Sequence, residues 1–448
     1  MSLKDTIENT SLHFNKKVYY VLFIASIVFT ASYFKPFLFD VGIAVLLLAS
    51  IAIAADILLL YLRKNGISGN RVLPDRLSNG DDNPVLLHIE NRYGFTITID
   101  IIDELPYQLQ ERNWLRKKLI NAGASDTEAY IVKPMQRGKY HFGFINVYVQ
   151  SPLKIVKKRY RLGQPETVKV YPSYVQMRRY QLMGATNRLQ ESGSQRLRKL
   201  GQSIEFEQIK EYVRGDDYRT INWKATARRG DLMVNNFIDE RSQQIYCVIN
   251  KGRTMKMPFN GMTLLDYAIN ASLVLSNTAL IKQDKAGLIT FAENLDVFLN
   301  ADRKPGQLNV ILEQLYKQET AFLEPDLEKL FSVIRNRVTQ RSLIILFTNY
   351  ESLESLEREL PSLKRIAHYH LLMVVFFENT ELKGLIETKA KTTEDIYIRT
   401  IAEKYIFERQ LIAKELQKNG IISVLTSPEK LTVNALNKYL EIKNRQSI

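Results

Sequence analysis

Val18 to Phe34 reads VYYVLFIASIVFTASYF and Phe37 to Leu62 reads FLFDVGIAVLLLASIAIAADILLLYL, with only Lys35 and Pro36 between them. At about 1.5 Å of rise per residue, each run is long enough to cross roughly 30 Å of hydrocarbon as a helix. The pair predicts a two-helix transmembrane hairpin over 18–62, preceded by a short N-terminus (1–17). Lys4, Lys16 and Lys17 lie before it, Arg63, Lys64, Arg71 and Arg76 after it, and only Lys35 in the turn. The bias of basic residues toward the cytosol then puts both termini inside. The rival reading is a cleaved signal peptide from Lys16 to about Ser32. The second apolar run close behind argues against it. Asp56 falls within the second run. An intramembrane acid is a functional-site hypothesis, and the plainer expectation is an interfacial carboxylate reached by water and paired with Arg63 or Lys64. Asp40 suits a helix N-terminus.

The chain has 448 residues, a net charge of +14 and one cysteine, Cys247, so no intrachain disulfide can form. That suits a reducing compartment. Cys247 lies in the apolar run 245–249, where a packed thiol is expected. His368 and His370, without a nearby third ligand, make a weak case for zinc. Twelve basic residues stand between Lys154 and Lys199, opposed only by Glu166 and Glu191. Anionic headgroups, nucleic acid and plain solvation are all open as the reason. No interleaved aromatics or nucleic-acid motif favours the second.

Short β-branched runs bounded by Gly, Pro and Asn (85–90, 96–102, 138–143, 145–149, 167–171) predict a small β-sandwich over 72–172. A basic linker (173–200) follows. Beyond it the pattern alternates. Residues 245–250, 342–348 and 371–377 are near-continuous apolar runs, which fit strands buried on both faces. Helices are expected over 263–282, 305–316, 325–338 and 394–418, the second and third opening on proline. The region 241–448 therefore reads as an α/β open sheet.

Between linker and sheet, over 201–240, stands Gly215-Asp216-Asp217-Tyr218-Arg219-Thr220-Ile221-Asn222-Trp223-Lys224-Ala225-Thr226-Ala227-Arg228-Arg229-Gly230. Together with Arg137 to Gly143, Ser151-Pro152-Leu153 and the paired apolar runs, it resembles the bacterial family catalogued as domain-of-unknown-function number 58. The resemblance implies an inner-membrane protein whose α/β part is of von Willebrand factor A type. It also implies a MoxR-type AAA+ ATPase as partner, in assembly or activation of client proteins. The family offers no accepted catalytic residue to carry over. Read physically, Gly215-Asp216-Asp217 is a turn whose carboxylates can accept backbone N–H groups. Trp223 with Ile221 offers apolar area to a core. Arg219, Arg228 and Arg229 suit ion pairs with Asp216, Asp217, Glu205 or Glu211, or an anionic partner.

A von Willebrand A domain holds a divalent cation with an Asp-x-Ser-x-Ser loop and a later acid. By that resemblance, Asn250 stands here for the first acid, Gly252 for the first serine, Thr254 for the second, and Asn349 for the later acid. A unit charge pair at ~4 Å contributes about 4 kcal/mol at an effective dielectric of ~20. Two lost carboxylates should therefore abolish ordinary Mg²⁺ affinity, since asparagine supplies only a neutral carbonyl. No metal and no cofactor is expected, and the loop is left as a candidate partner contact.

No phosphate loop, Gly-x-Ser-x-Gly elbow or His-Glu-x-x-His is present. The expected protein is a membrane-anchored, non-enzymatic adaptor that presents its α/β domain to the cytosol. The alternatives are a hydrolase using Asp216 and Asp217, or a surface for anionic lipid or nucleic acid.

Overall fold

The strand Asn83–Asn91 buries Val85, Leu87 and Ile89 and turns Pro84, His88 and Glu90 outward. This period of two is produced by a sheet with one dry face. It recurs through the first of two compact units, Met1–Ser173 and Tyr174–Ile448, of a computed structural model. The structure describes residues 12–178, 205–213, 216, 218–238, 242–387 and 392–445.

Three sheets form the β part of the first unit. One runs in the order Leu12–Phe14, Val156–Leu162, Ile145–Gln150, Ile97–Asp103, Arg116–Ile120. The second is Arg76–Ser78, Glu166–Tyr171, Gly138–Phe142, and the third Ile67–Val72, Asn83–Asn91, Ser125–Val132. Ile97, Ile99, Val147, Val149, Leu87 and Tyr140 belong to one continuous core. Inside it Arg71 pairs with Asp103, which also accepts the Tyr130 hydroxyl. The sequence reading missed the strands at 116–120, 125–132 and 156–162. In 116–120 and 156–162 the wet positions carry Arg116, Lys117, Arg159 and Arg161, and in 125–132 the half-buried positions carry Asp126 and Glu128 while Ala129 and Ile131 are exposed, so charge and polarity mask the alternation.

Two apolar helices, Lys16–Ala31 and Phe37–Tyr61, open the unit. They pack against each other closely where Gly42 meets the Phe29 ring; a Cβ there would come within 2.8 Å of it. Small residues permit such approach between apolar helices. Only Val18 and Ala25 of the first helix and Gly42, Asp56 and Leu60 of the second are buried. Exposed apolar side chains along both helices suit a bilayer better than water. Among the described residues, Phe37–Tyr61 and Leu264–Ile281 are long and apolar enough to cross a membrane. The two differ in setting, because Leu264–Ile281 is packed inside the second unit's core. The first helix is shorter than its apolar run. It stops at Ala31, and a turn takes residues 32–34.

Asp56 differs from its expected role. It is fully buried and does not pair with Arg63 or Lys64. Its Oδ2 accepts the backbone N–H groups of Ile155 at 3.0 Å and Val156 at 2.8 Å, and its Oδ1 accepts the Ser151 hydroxyl. Five residues on, the helix end is capped from the same sheet. Lys158 Nζ donates to Leu60 O at 2.9 Å and Arg63 O at 3.3 Å, where a cation complements the C-terminal dipole. Burial pushes the Lys158 ammonium down to about 8. The Tyr93 hydroxyl donates to Leu60 O at 2.8 Å. At the other end of the hairpin, Leu12–Phe14 pairs antiparallel with Val156–Lys158. One strand thus grips both the entry and the exit of the helical pair.

The second unit carries a six-stranded mixed sheet. Its order is Leu295–Asp302, Lys285–Phe291, Gln244–Asn250, Leu343–Phe347, Leu371–Phe377, Ile422–Thr426. All neighbours are parallel except the antiparallel edge pair 285–291 and 295–302. Helices Leu264–Ile281, Gln307–Tyr316 and Leu431–Asn444 pack with Cys247, Ile345 and Val375 on one face. Helices Leu327–Arg337, Leu353–Tyr369 and Thr393–Lys418 pack with Val248, Leu346 and Val374 on the other. Pro305 and Pro325 lie before the helices they were expected to open. Gly306 and Asp326 occupy the N-cap positions, and Asp326 accepts from Glu328 N and Lys329 N. Leu353–Tyr369 had not been anticipated, because Pro361 stands inside it.

Candidate functional site

In open α/β sheets the ligand face lies beyond the strand C-termini. Here that face is built by the segments after Asn250, Phe347 and Phe377. Asn250 is buried, with its amide engaged at both ends. Nδ2 donates to Thr348 Oγ1 at 2.9 Å and Oδ1 accepts Gly252 N–H at 2.7 Å. Asn349 Nδ2 donates to Thr254 O at 3.4 Å. Its Oδ1 accepts Arg409 Nη1 at 3.0 Å. Arg409 comes from the long helix Thr393–Lys418 and is 3% exposed. It also donates to the Tyr405 hydroxyl, and its Nε has no partner. Lys251 pairs with Asp296 at 2.7 Å.

This donor set does not fit a divalent cation. Both amide oxygens already accept protein N–H groups, and a guanidinium stands beside Asn349. Among the described residues no group of three acids, histidines or cysteines could hold a metal ion. Arg409 is a residue the sequence reading missed. It lies in a charged amphipathic helix with no motif around it, and its significance comes from Asn349, sixty residues away.

Beside these residues a cleft of about 460 Å³ opens, lined by Arg253, Thr254, Asp326, Tyr350, Glu351, Arg358 and Glu359 among others. Burial pushes the Glu359 carboxyl up to about 8. Burial, followed by the nearby Glu359 charge, also raises the Tyr350 phenol. Glu359 Oε2, Tyr350 OH and Thr254 Oγ1 are all shielded from solvent without a hydrogen bond of normal geometry. The opposite interior is inert by comparison. Cys247 is fully buried, and burial pushes its thiol up to about 12.

The second candidate region is the segment before the sheet. Strands Glu205–Glu211 and Met233–Ile238 pair antiparallel, and a short helix, Trp223–Arg229, lies between them. Asn222 fixes that helix. Its side chain accepts Ala225 N–H at 3.0 Å and donates to Asn235 Oδ1 at 2.8 Å, while its own N–H donates to Met233 O at 2.8 Å. Asp216 closes the preceding turn. It accepts Lys210 Nζ at 2.8 Å and Val213 N–H at 3.0 Å, and these bonds hold its carboxyl below the usual range. Gly215 and Asp217 lie outside the described residues.

Trp223 does not enter a core. It is 71% exposed, and Tyr218 is 69% exposed. Lys224, Arg228 and Arg229 are exposed as well, and the Arg219 guanidinium lies over the Tyr218 ring at 5.8 Å. The described ion pair of Asp216 is with Lys210. The reason for the exposure of Trp223 is local. The helix has only seven residues, and Asn222, through its bonds to Asn235 and Met233, sets which side of it meets the hairpin.

Comparison with known proteins places this segment. The chain is 23% identical over 210 residues to "Uncharacterized protein YeaD" of Bacillus subtilis (strain 168), a match taking in 44% of this chain. It spans half the length of that curated relative. Among solved structures, the CARDB domain of PF1109 from Pyrococcus furiosus is 13% identical, covering 23% of this chain and 86% of that one, with a TM-score of 0.17. The ASH/PapD-like domain of human CEP192 is 16% identical over 22% of this chain and 84% of its own, also at 0.17. The region that contains Asn222, Trp223 and Asn349 is matched, over residues 208–404, by the model of a family described as protein of unknown function DUF58.

Proposed function

We propose that this protein is a membrane-anchored adaptor without catalytic activity of its own. In this reading the helical pair spans the inner membrane with both termini in the cytosol, and the von Willebrand A-like second unit docks a MoxR-type AAA+ ATPase. The observation that carries it is the exposure of Trp223, Arg228 and Arg229 on a helix fixed by Asn222, with Tyr218 exposed in the turn just before it. Solvated tryptophan, tyrosine and arginine on a rigid frame are the residue types that dominate protein interfaces. The exposed apolar helices 16–31 and 37–61 support the anchor. The cleft at the strand ends, with Arg253, Glu351 and Arg358 on its rim, offers a second, charged contact.

The test is retention of the purified ATPase on immobilised full-length protein in detergent. The full chain matters, because Asp56, Leu60 and Arg63 complete the first unit. We expect retention by the native chain, reduced by about tenfold or more in the double variant Trp223→Ala, Arg228→Ala, as for loss of interface anchors. Equal retention by the variant refutes the signature-helix contact. No retention by the native chain, with and without nucleotide, refutes the adaptor.

A further inference from the structure

We infer that the turn Ser151–Ile155, together with the start of the first helix, is a second membrane contact that takes the headgroups of anionic phospholipids. The inference rests on the reading that Phe37–Tyr61 spans the bilayer. From Phe37 to Asp56 that helix rises about 28 Å at 1.5 Å per residue, close to the ~30 Å of a hydrocarbon core. Asp56 therefore marks the inner edge of the hydrocarbon. The turn is bonded directly to it through Ser151, Ile155 and Val156. A turn attached at that depth rests in the headgroup layer.

Its outward residues fit that layer. Pro152, Leu153 and Lys154 are all exposed, Leu153 by 46%. Lys154 is held at φ +57°, in the left-handed region that a lysine seldom adopts. The conformation is enforced from both sides. Lys154 N donates to Ser151 O at 3.1 Å, and Asn15 Nδ2 donates to Lys154 O at 3.0 Å. The first helix starts at the same level, because Asn15 N donates to Ile155 O at 2.9 Å. That places exposed Lys16 and Lys17 beside Lys154, with exposed Tyr19 and Tyr20 one turn deeper. Lysines over tyrosines form the pattern of a bilayer interface. Each basic side chain near an anionic surface contributes attraction of the kind that vanishes with the lipid's charge. The carboxylate at the centre, Asp56, is buried and committed to the turn, so it does not repel phosphate across the surface.

The test uses full-length protein in nanodiscs, labelled with an environment-sensitive thiol dye at Leu153→Cys or, separately, at Ile51→Cys. Both sites are exposed, and Cys247, buried with a raised pKa, stays unlabelled in the folded chain. Spin-labelled lipids serve as quenchers. We expect acyl-chain labels to quench the dye at position 51 and headgroup-proximal labels to quench it at 153. In phosphatidylglycerol the quenching at 153 should drop about twofold or more when Lys154→Glu is added or when phosphatidylcholine replaces the lipid. Quenching at 51 without quenching at 153 overturns the second contact and leaves the anchor standing. Equal quenching at 153 in both lipids overturns the anionic preference. No quenching at either site removes the anchor and the inference with it.

Discussion

Arg409 Nη1 donates to Asn349 Oδ1 at 3.0 Å at the end of the central sheet. A buried guanidinium thus supplies the positive charge at this strand end. Asn349→Asp should pair a charge with Arg409 but lose the bond from Nδ2 to Thr254 O and bury a second charge, so thermal stability should change by no more than about 1 kcal/mol. Arg409→Met should lower stability by about 2–3 kcal/mol, because it leaves Asn349 Oδ1 without its partner. Thermal melts of the full chain in detergent measure both. The double variant Asn250→Asp, Asn349→Asp should still fail to bind Mg²⁺ by calorimetry while Arg409 is present.

Asp56 should be worth more than its position in an apolar helix suggests. Asp56→Ala removes three bonds and leaves the buried Val156 N–H and the half-buried Ile155 N–H without their acceptor, so a loss of about 2–4 kcal/mol is expected in the first unit. Hydrogen exchange at Ile155 and Val156 should accelerate first. Asp56→Asn, which keeps acceptor capacity, should lose less.

Glu359 sets a pH dependence. Its carboxyl titrates near 8 when folded and near the ordinary glutamate value when unfolded, so the folded chain binds the extra proton between those limits. Stability of the second unit is then greatest below the unfolded value and falls as pH rises from about 4.5 to 8. Glu359→Gln should flatten that slope. Chemical denaturation of native and variant chains at pH 5 and pH 8 decides the matter; parallel slopes would sink the assignment.

Trp223→Ala should leave stability within about 0.5 kcal/mol of the native value, as for a surface substitution. Asn222→Ala, by contrast, removes the cap and should cost about 1 kcal/mol. Circular-dichroism melts separate the two. A large loss for Trp223→Ala would mean that the indole is packed after all.

The apolar runs at 245–250, 342–348 and 371–377 were legible because strands buried on both faces need no alternation to announce themselves. The helix pair was legible for the same reason of bulk hydrophobicity. What stayed hidden depends on partners distant in sequence. Asp56 reads as an isolated acid until Ser151 and Val156 are brought to it, and Arg409 is one arginine among many until Asn349 faces it. Strands at 116–120 and 156–162 hid behind lysines and arginines on their wet faces. Trp223 misled in the opposite direction: its size argued for burial, while the capping geometry of Asn222 sets it outward.

The strand Val156–Leu162 holds the residues before one helix of the hairpin and the last turn of the other. A shift of either helix, whether from tilt or from stretch, must therefore be felt by a single β-strand and through it by the whole sheet. In the membrane-anchored reading proposed above, the hairpin acts less as a tether than as a handle, rigidly mounted, by which events in the bilayer can turn the first unit as one body.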